Sequence, residues 1–211
     1  MIPPFRYYLF DIDGTLLDSA PDICGAISQV LEDTAQPDVA FDRLRGYIGR
    51  HLLDTFGDLL PGAPPAQIEE MIARYRQFYL ARNHAQTSVY PGVEEGLRAL
   101  GGFKATATTK GTPTTRAVLE KFGLLPYFHH IQGTDGFPSK PAPDVIFRAL
   151  EGLAGDPAET LMVGDSASDM EAGRRAGIRI CAVTYGYGKR EDLARFAPDY
   201  WVDDLRELSG G

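Results

Sequence analysis

The chain has 211 residues, 44% of them hydrophobic and 24% charged, enough for one compact core plus an appendage, since domains usually run ~100–200 residues. Its formal net charge is −8 and its Lys and Arg residues are scattered, which excludes the concentrated positive surface that a nucleic-acid backbone requires. No apolar run approaches the ~20 residues of a membrane helix, so neither nucleic acid nor membrane is expected as a partner. The opening Met1-Ile2-Pro3-Pro4-Phe5-Arg6 lacks the charged-then-apolar layout of a secretory leader, and a cytoplasmic protein is expected. Cys24 and Cys181 are far apart and have no neighbouring His or Cys, so they read as small buried hydrophobes rather than disulfide partners or zinc ligands.

Taken in chain order, the first apolar run predicts a strand at Tyr7–Ile12 that ends in Asp11-Ile12-Asp13-Gly14-Thr15. From about Asp18 to Ser88 no strand pattern stands out. Ile23, Ile27, Val30 and Leu31 mark one amphipathic helix there, and Ile68, Met71, Ile72, Tyr75 and Tyr79 another, each with a single buried face at i, i+3, i+4, i+7 spacing. Pro61-Gly62-Ala63-Pro64-Pro65 breaks this stretch, and Tyr90-Pro91-Gly92 marks the return to the main body. Further strands are predicted at Phe103–Thr108, His130–Gly133, Thr160–Gly164, Arg179–Thr184 and, more weakly, Tyr200–Val202. Helices alternate with them: Thr112 or Pro113 opens Ala117–Phe122, Pro143-Asp144 opens Val145–Leu153, and Ser166 caps a helix through Arg175, with Gly123 and Gly177 closing two of them. This rhythm predicts an α/β fold, a doubly wound parallel sheet formed by residues 1–17 and 89–211, with residues 18–88 as an all-helical insertion.

In open parallel sheets ligands bind beyond the carboxyl ends of the strands, and four such ends carry chemistry. Asp11 and Asp13 end the first strand, Thr108-Thr109-Lys110 the second, Lys140-Pro141-Ala142-Pro143-Asp144 follows the third, and Gly164-Asp165-Ser166-Ala167-Ser168-Asp169 the fourth. Asp11 and Asp13 sit two residues apart, so both carboxylates can face one crevice, and Gly14 permits a sharp turn after them. Carboxylates converging with Asp165 or Asp169 would repel one another unless a hard cation lay among them, and oxygen-only ligands favour magnesium. His51, His84, His129 and His130 show no metal-ligand spacing, and neither a P-loop nor a Gly-x-Ser-x-Gly elbow occurs. Gly186 and Gly188 lack the rest of a dinucleotide fingerprint and read as a tight loop.

With Phe10-Asp11-Ile12-Asp13-Gly14-Thr15-Leu16 as a first signature, Thr108 as a second, Lys140 as a third and Gly164-Asp165 through Asp169 as a fourth, the chain resembles the haloacid dehalogenase-like superfamily. It is similar in particular to phosphoglycolate phosphatase-like members with a helical cap. The resemblance implies Asp11 as a nucleophile that forms an aspartyl-phosphate and Asp13 as general acid and base. It implies Thr108 as a hydrogen-bond donor to the phosphoryl group and Lys140 as the cation neutralising it and Asp11. Magnesium would be held by Asp11, Asp165 and the Asp13 backbone carbonyl, with Asp169 either a further ligand through water or the group that orients this shell. Relatives commonly carry Thr-Asn-Lys where this chain has Thr108-Thr109-Lys110, which puts finer substrate contacts at Thr109 and Lys110; a solvated surface position is the other reading of Lys110. Gly46-Tyr47-Ile48-Gly49-Arg50 resembles the cap segment that reaches toward substrate, where Arg50 could grip a carboxylate or stand as an ordinary surface arginine.

Asp13 supplies the acid that a leaving alcohol needs. Dehalogenase and phosphonate-cleaving relatives generally lack it, and the latter use a cap lysine, whereas residues 18–88 contain no lysine. A β-phosphoglucomutase-like mutase would keep every core residue named. A phospho-acceptor signalling switch shares the Asp, Thr and Lys set but places its acceptor on a later strand and has no use for a 70-residue insertion. The expected function is a magnesium-dependent phosphatase acting on small phosphorylated metabolites, as a monomer or homodimer.

Overall fold

The computed structural model describes residues 1–209. The chain divides into two compact units, one made of Met1–Asp18 and the chain from Ser88 onward, the other of Ser19–Thr87. In the first, β1 (Tyr7–Phe10), β4 (Phe103–Thr106), β5 (Thr160–Gly164), β6 (Arg179–Val183) and β7 (Tyr200–Val202) form one sheet in the order β4-β1-β5-β6-β7. Every pairing is parallel. All four residues of β1 are buried because both faces of the sheet are covered, as parallel sheets require. Tyr8 and Phe10 face a layer containing Val93 and Leu97 of α5 (Val93–Ala99) and Val118 and Leu119 of α6 (Thr112–Lys121). Tyr7 and Leu9 face the opposite layer, with Ile146 and Leu150 of α7 (Asp144–Leu153), Met170 and Ala172 of α8 (Ala167–Arg175) and Leu193 of α9 (Arg190–Ala194). The chain steps outward from β1 to β4 on one side and to β5 on the other, so the carboxyl ends of β1 and β5 flank the point where the winding reverses.

Two expectations are corrected. His130–Gly133 is not a strand: it touches the β4 edge through a single bridge at His130. The Thr106 hydroxyl replaces the next ladder bonds, donating to the Gln132 carbonyl at 2.9 Å and accepting from the Gln132 N–H at 2.8 Å. At the ends of the inserted stretch, β2 (Leu17–Asp18) and β3 (Ser88–Val89) pair antiparallel and form a two-stranded neck through which the chain leaves and returns. Strands of two residues carry no periodicity that a sequence could display.

The second unit is built of α1 (Ala20–Leu31), α2 (Phe41–Arg45), α3 (Leu52–Leu59) and α4 (Pro65–Arg82). Ile23, Ile27, Val30 and Leu31 of α1 and Ile68, Met71, Ile72, Tyr75 and Tyr79 of α4 are buried, as their spacing predicts. Pro65 opens α4, at the position where a missing N–H leaves no bond unmade. Cys24 and Cys181 are both buried free thiols.

Candidate active site

The turn after β1 is wound around one acceptor. The Ile12 carbonyl takes N–H bonds from Thr15, Leu16 and Leu17 at 3.3, 2.9 and 3.0 Å. Gly14 adopts φ +91°, and a side chain there would overlap the Asp165 carboxylate, so glycine is needed both for the turn and for the approach of β5. Asp11 is fixed by its N–H, which continues the sheet ladder to the Val163 carbonyl at 3.0 Å.

Lys140, 2% exposed, lies at the centre of the site. Its Nζ donates to the Ala107 carbonyl at 2.8 Å and to Asp169 Oδ1 in a short bond, and lies 3.0 Å from Asp11 Oδ1. Burial alone would lower the Lys140 ammonium, but the charges of Asp11 and Asp169 outweigh that and hold it above its usual range. Asp169 spends its other oxygen on helix α8: Oδ2 accepts from the Ser166 N–H at 2.9 Å and the Ser166 hydroxyl at 2.6 Å, while Ser166 Oγ accepts from the Asp169 N–H. This is a reciprocal cap of the first turn.

Asp165 is gripped from two directions, with Oδ1 accepting from the Thr15 hydroxyl at 3.0 Å and Oδ2 from the Tyr187 N–H at 2.8 Å. Burial, reinforced by the charges of Asp169 and Asp11, pushes its carboxyl up to about 8. Burial also pushes Asp11 up to about 6, with Lys140 opposing and Asp169 and Asp13 adding to the rise. Three buried carboxylates thus face one buried ammonium.

Asp11 Oδ1 is buried and makes no directed hydrogen bond. Asp11, Asp165 and Asp169 each offer an oxygen within 4.8 Å of the others. An oxygen-only donor set with surplus negative charge and an orphaned acceptor fits a hard divalent cation.

Asp13 Oδ2 pairs with Lys110 Nζ at 3.1 Å, both side chains largely buried, so Lys110 is not a solvated surface lysine. Thr108 is buried and its Oγ1 accepts from the Lys110 N–H at 3.4 Å. Thr109 is half-buried beside it. Arg50, in the helical unit, is 2.8 Å from Asp58 and lies over the Tyr47 ring, with both charged side chains well exposed.

Sequence reasoning left four contributors without a role. Thr15 sits inside the first signature but acts on Asp165, which is 150 residues away. Tyr187 acts through its backbone N–H, which carries no side-chain signal. Gly186 and Gly188 belong to a tight loop because a Cβ at either would overlap Asp165.

A sequence model of the haloacid dehalogenase-like hydrolase family matches residues 8–183. The chain is similar to the phosphoglycolate phosphatase of Nitrosospira multiformis, with 34% identity across 98% of this chain and 95% of that protein. It is likewise similar to the phosphoglycolate phosphatase of Vibrio vulnificus, with 35% identity across 94% and 92%. Among solved structures, a predicted phosphatase from Clostridium acetobutylicum superposes with a TM-score of 0.90 at 30% identity, covering 99% of this chain and 98% of that one. A structure described as a putative haloacid dehalogenase-like hydrolase, from Bacteroides fragilis, gives 0.92 at 26% identity, covering 97% of this chain and 99% of that one.

Proposed function

Because the chain belongs to the haloacid dehalogenase-like hydrolase family and is a phosphatase, we propose that it hydrolyses small phosphate monoesters of the phosphoglycolate type through a covalent phosphate on Asp11. The observation that carries this reading is the under-bonded Asp11 carboxylate, buried beside Lys140 in a cluster with surplus negative charge. Asp11, Asp165 and the Asp13 backbone carbonyl would hold magnesium, which when bound would supply the positive charge that lets an anionic phosphoryl group approach a carboxylate.

The chain's own groups do the rest. An Asp11 oxygen attacks phosphorus, the phosphorus–oxygen ester bond breaks, and Asp13 protonates the departing alkoxide. Asp13 then takes a proton from water, whose oxygen attacks the same phosphorus, and Asp11 leaves as free carboxylate with release of phosphate. The Lys110 contact holds Asp13 in place. Thr108 donates its O–H to a phosphoryl oxygen, Thr109 lies beside that contact, and Lys140 offsets charge on Asp11 and the phosphoryl group. Asp169 has both oxygens committed to Lys140 and Ser166, which supports a role in orienting Lys140 rather than in touching the metal.

The test is intact-protein mass after brief mixing with an aryl phosphate and an acid quench. Asp13→Asn should accumulate one phosphoryl group, because an aryl leaving group needs little protonation while the second step lacks its base. Asp11→Asn should never be labelled and should lose turnover by on the order of 10⁴-fold. An active Asp11→Asn enzyme, or a slow Asp13→Asn enzyme that is never labelled, would overturn the assignment.

A further inference from the structure

The loop after β6, Thr184 to Gly188, touches two parts of the core unit at once. Through its backbone it holds Asp165, the Tyr187 N–H donating to Oδ2 at 2.8 Å. Through its side chains it holds the neck. The Tyr187 hydroxyl donates to Asp18 Oδ1 at 3.0 Å, with the Leu17 carbonyl 3.4 Å away, and the Tyr185 hydroxyl donates to the Thr15 carbonyl at 2.8 Å. On the returning side, the Tyr185 ring lies 4.8 Å from the ring of Tyr90, directly after β3. The two glycines bring the loop backbone against Asp165 and the Gly14 carbonyl, where no Cβ fits.

We propose that Tyr187 is a positioning residue for the metal site: its hydroxyl pins the loop to the outgoing strand of the neck at Asp18, and its N–H thereby aims the Asp165 carboxylate. The orientation of Asp165 then depends on the neck through which the chain enters and leaves the helical unit. This inference rests on the reading of Asp165 as a magnesium ligand. The physical basis is that a carboxylate with two oxygens fixed by directed bonds presents its remaining lone pairs in one direction, and groups behind a ligand commonly change metal affinity when removed.

The experiment is calorimetric titration of the substrate-free full chain with magnesium chloride. Tyr187→Phe, which keeps the ring and the backbone N–H, should weaken magnesium binding roughly tenfold, and Asp18→Ala by a similar factor. The double variant should bind no more weakly than either single one, because both remove the same contact. A residue of merely structural value would lower the melting temperature and leave the magnesium Kd unmoved. Unchanged affinity in Tyr187→Phe, or multiplying losses in the double variant, overturns the inference while Asp165→Asn still abolishes binding. If Asp165→Asn binds magnesium as tightly as the unsubstituted protein, the ligand assignment falls and the inference falls with it.

Discussion

Each unit of this protein buries aspartate, and the two do so in opposite ways. In the helical unit Asp22 of α1 is 1% exposed, and its oxygens meet the Arg82 Nε at 3.2 Å, the Gln86 N–H at 2.9 Å and the Thr87 hydroxyl at 2.8 Å. Arg82 is in turn shared with Gln29 and Gln86. One acid meets one cation and every oxygen is bonded. In the core unit three buried acids cluster around one buried lysine that forms ion pairs with Asp11 and Asp169, and the Oδ1 of Asp11 has that ion pair but no directed hydrogen bond. Burial of a charge is therefore not what distinguishes a reactive site. The distinguishing mark is an uncompensated charge with an unfilled acceptor, which folding alone would not maintain.

If that contrast is right, the largest effect on stability comes from breaking the balanced centre. Asp22→Ala strands Arg82, the Gln86 N–H and the Thr87 hydroxyl, and should lower unfolding free energy by about 3 kcal/mol, measured by denaturant titration, with magnesium affinity unchanged. A loss below about 1 kcal/mol, the range of an exposed pair, would remove the contrast.

The unbalanced centre should make stability depend on pH. Asp11 at about 6 and Asp165 at about 8 both lie above the ordinary value of 3.8, so between pH 4 and 8 the folded, metal-free protein binds more protons than the unfolded chain. Its stability in chelator should therefore fall as pH rises through that window, by on the order of 1 kcal/mol per unit. Saturating magnesium should flatten the slope, since the cation takes the place of the protons, and Asp165→Asn should flatten it without magnesium. Rising stability in chelator from pH 5 to 8 would contradict the surplus of buried acid.

The smallest effect belongs to Arg50. Its exposed pair with Asp58 predicts that Arg50→Ala changes stability by less than about 0.5 kcal/mol. The proposed grip on a substrate carboxylate predicts a KM raised several-fold for carboxylated phosphate esters alone, on the order of one charge-assisted hydrogen bond. An equal rise for uncharged esters would refute that role.

Much of this arrangement was legible in the sequence because parallel strands read as apolar runs, and the residues just beyond them, Asp11, Asp13, Thr108 and Asp165, are polar where the run stops. Ser166 was legible as a helix cap for the same local reason. What stayed hidden depends on partners distant in the chain or on the backbone. The Thr106 hydroxyl that displaces a strand at Gln132 looks like any strand threonine. The burial of Lys110 depends on Asp13, 97 positions earlier, and the grip of Tyr187 on Asp165 is made by an N–H that every residue except proline carries.

The reciprocal cap between Ser166 and Asp169 also has a meaning for anyone who would engineer this enzyme for heat resistance. A standard stabilising move replaces a helix-capping serine with aspartate, whose charge suits a helix N-terminus. Here that substitution would place a further carboxylate beside Asp165 and against Asp169, and would remove the hydroxyl donor on Asp169 Oδ2. The oxygen partner that seats Lys140 would then be drawn away from it by repulsion. Surface caps elsewhere can be optimised freely, but at α8 the thermostability of a helix and the alignment of a lysine are the same variable, and a gain in one register would be read out as a loss in the other.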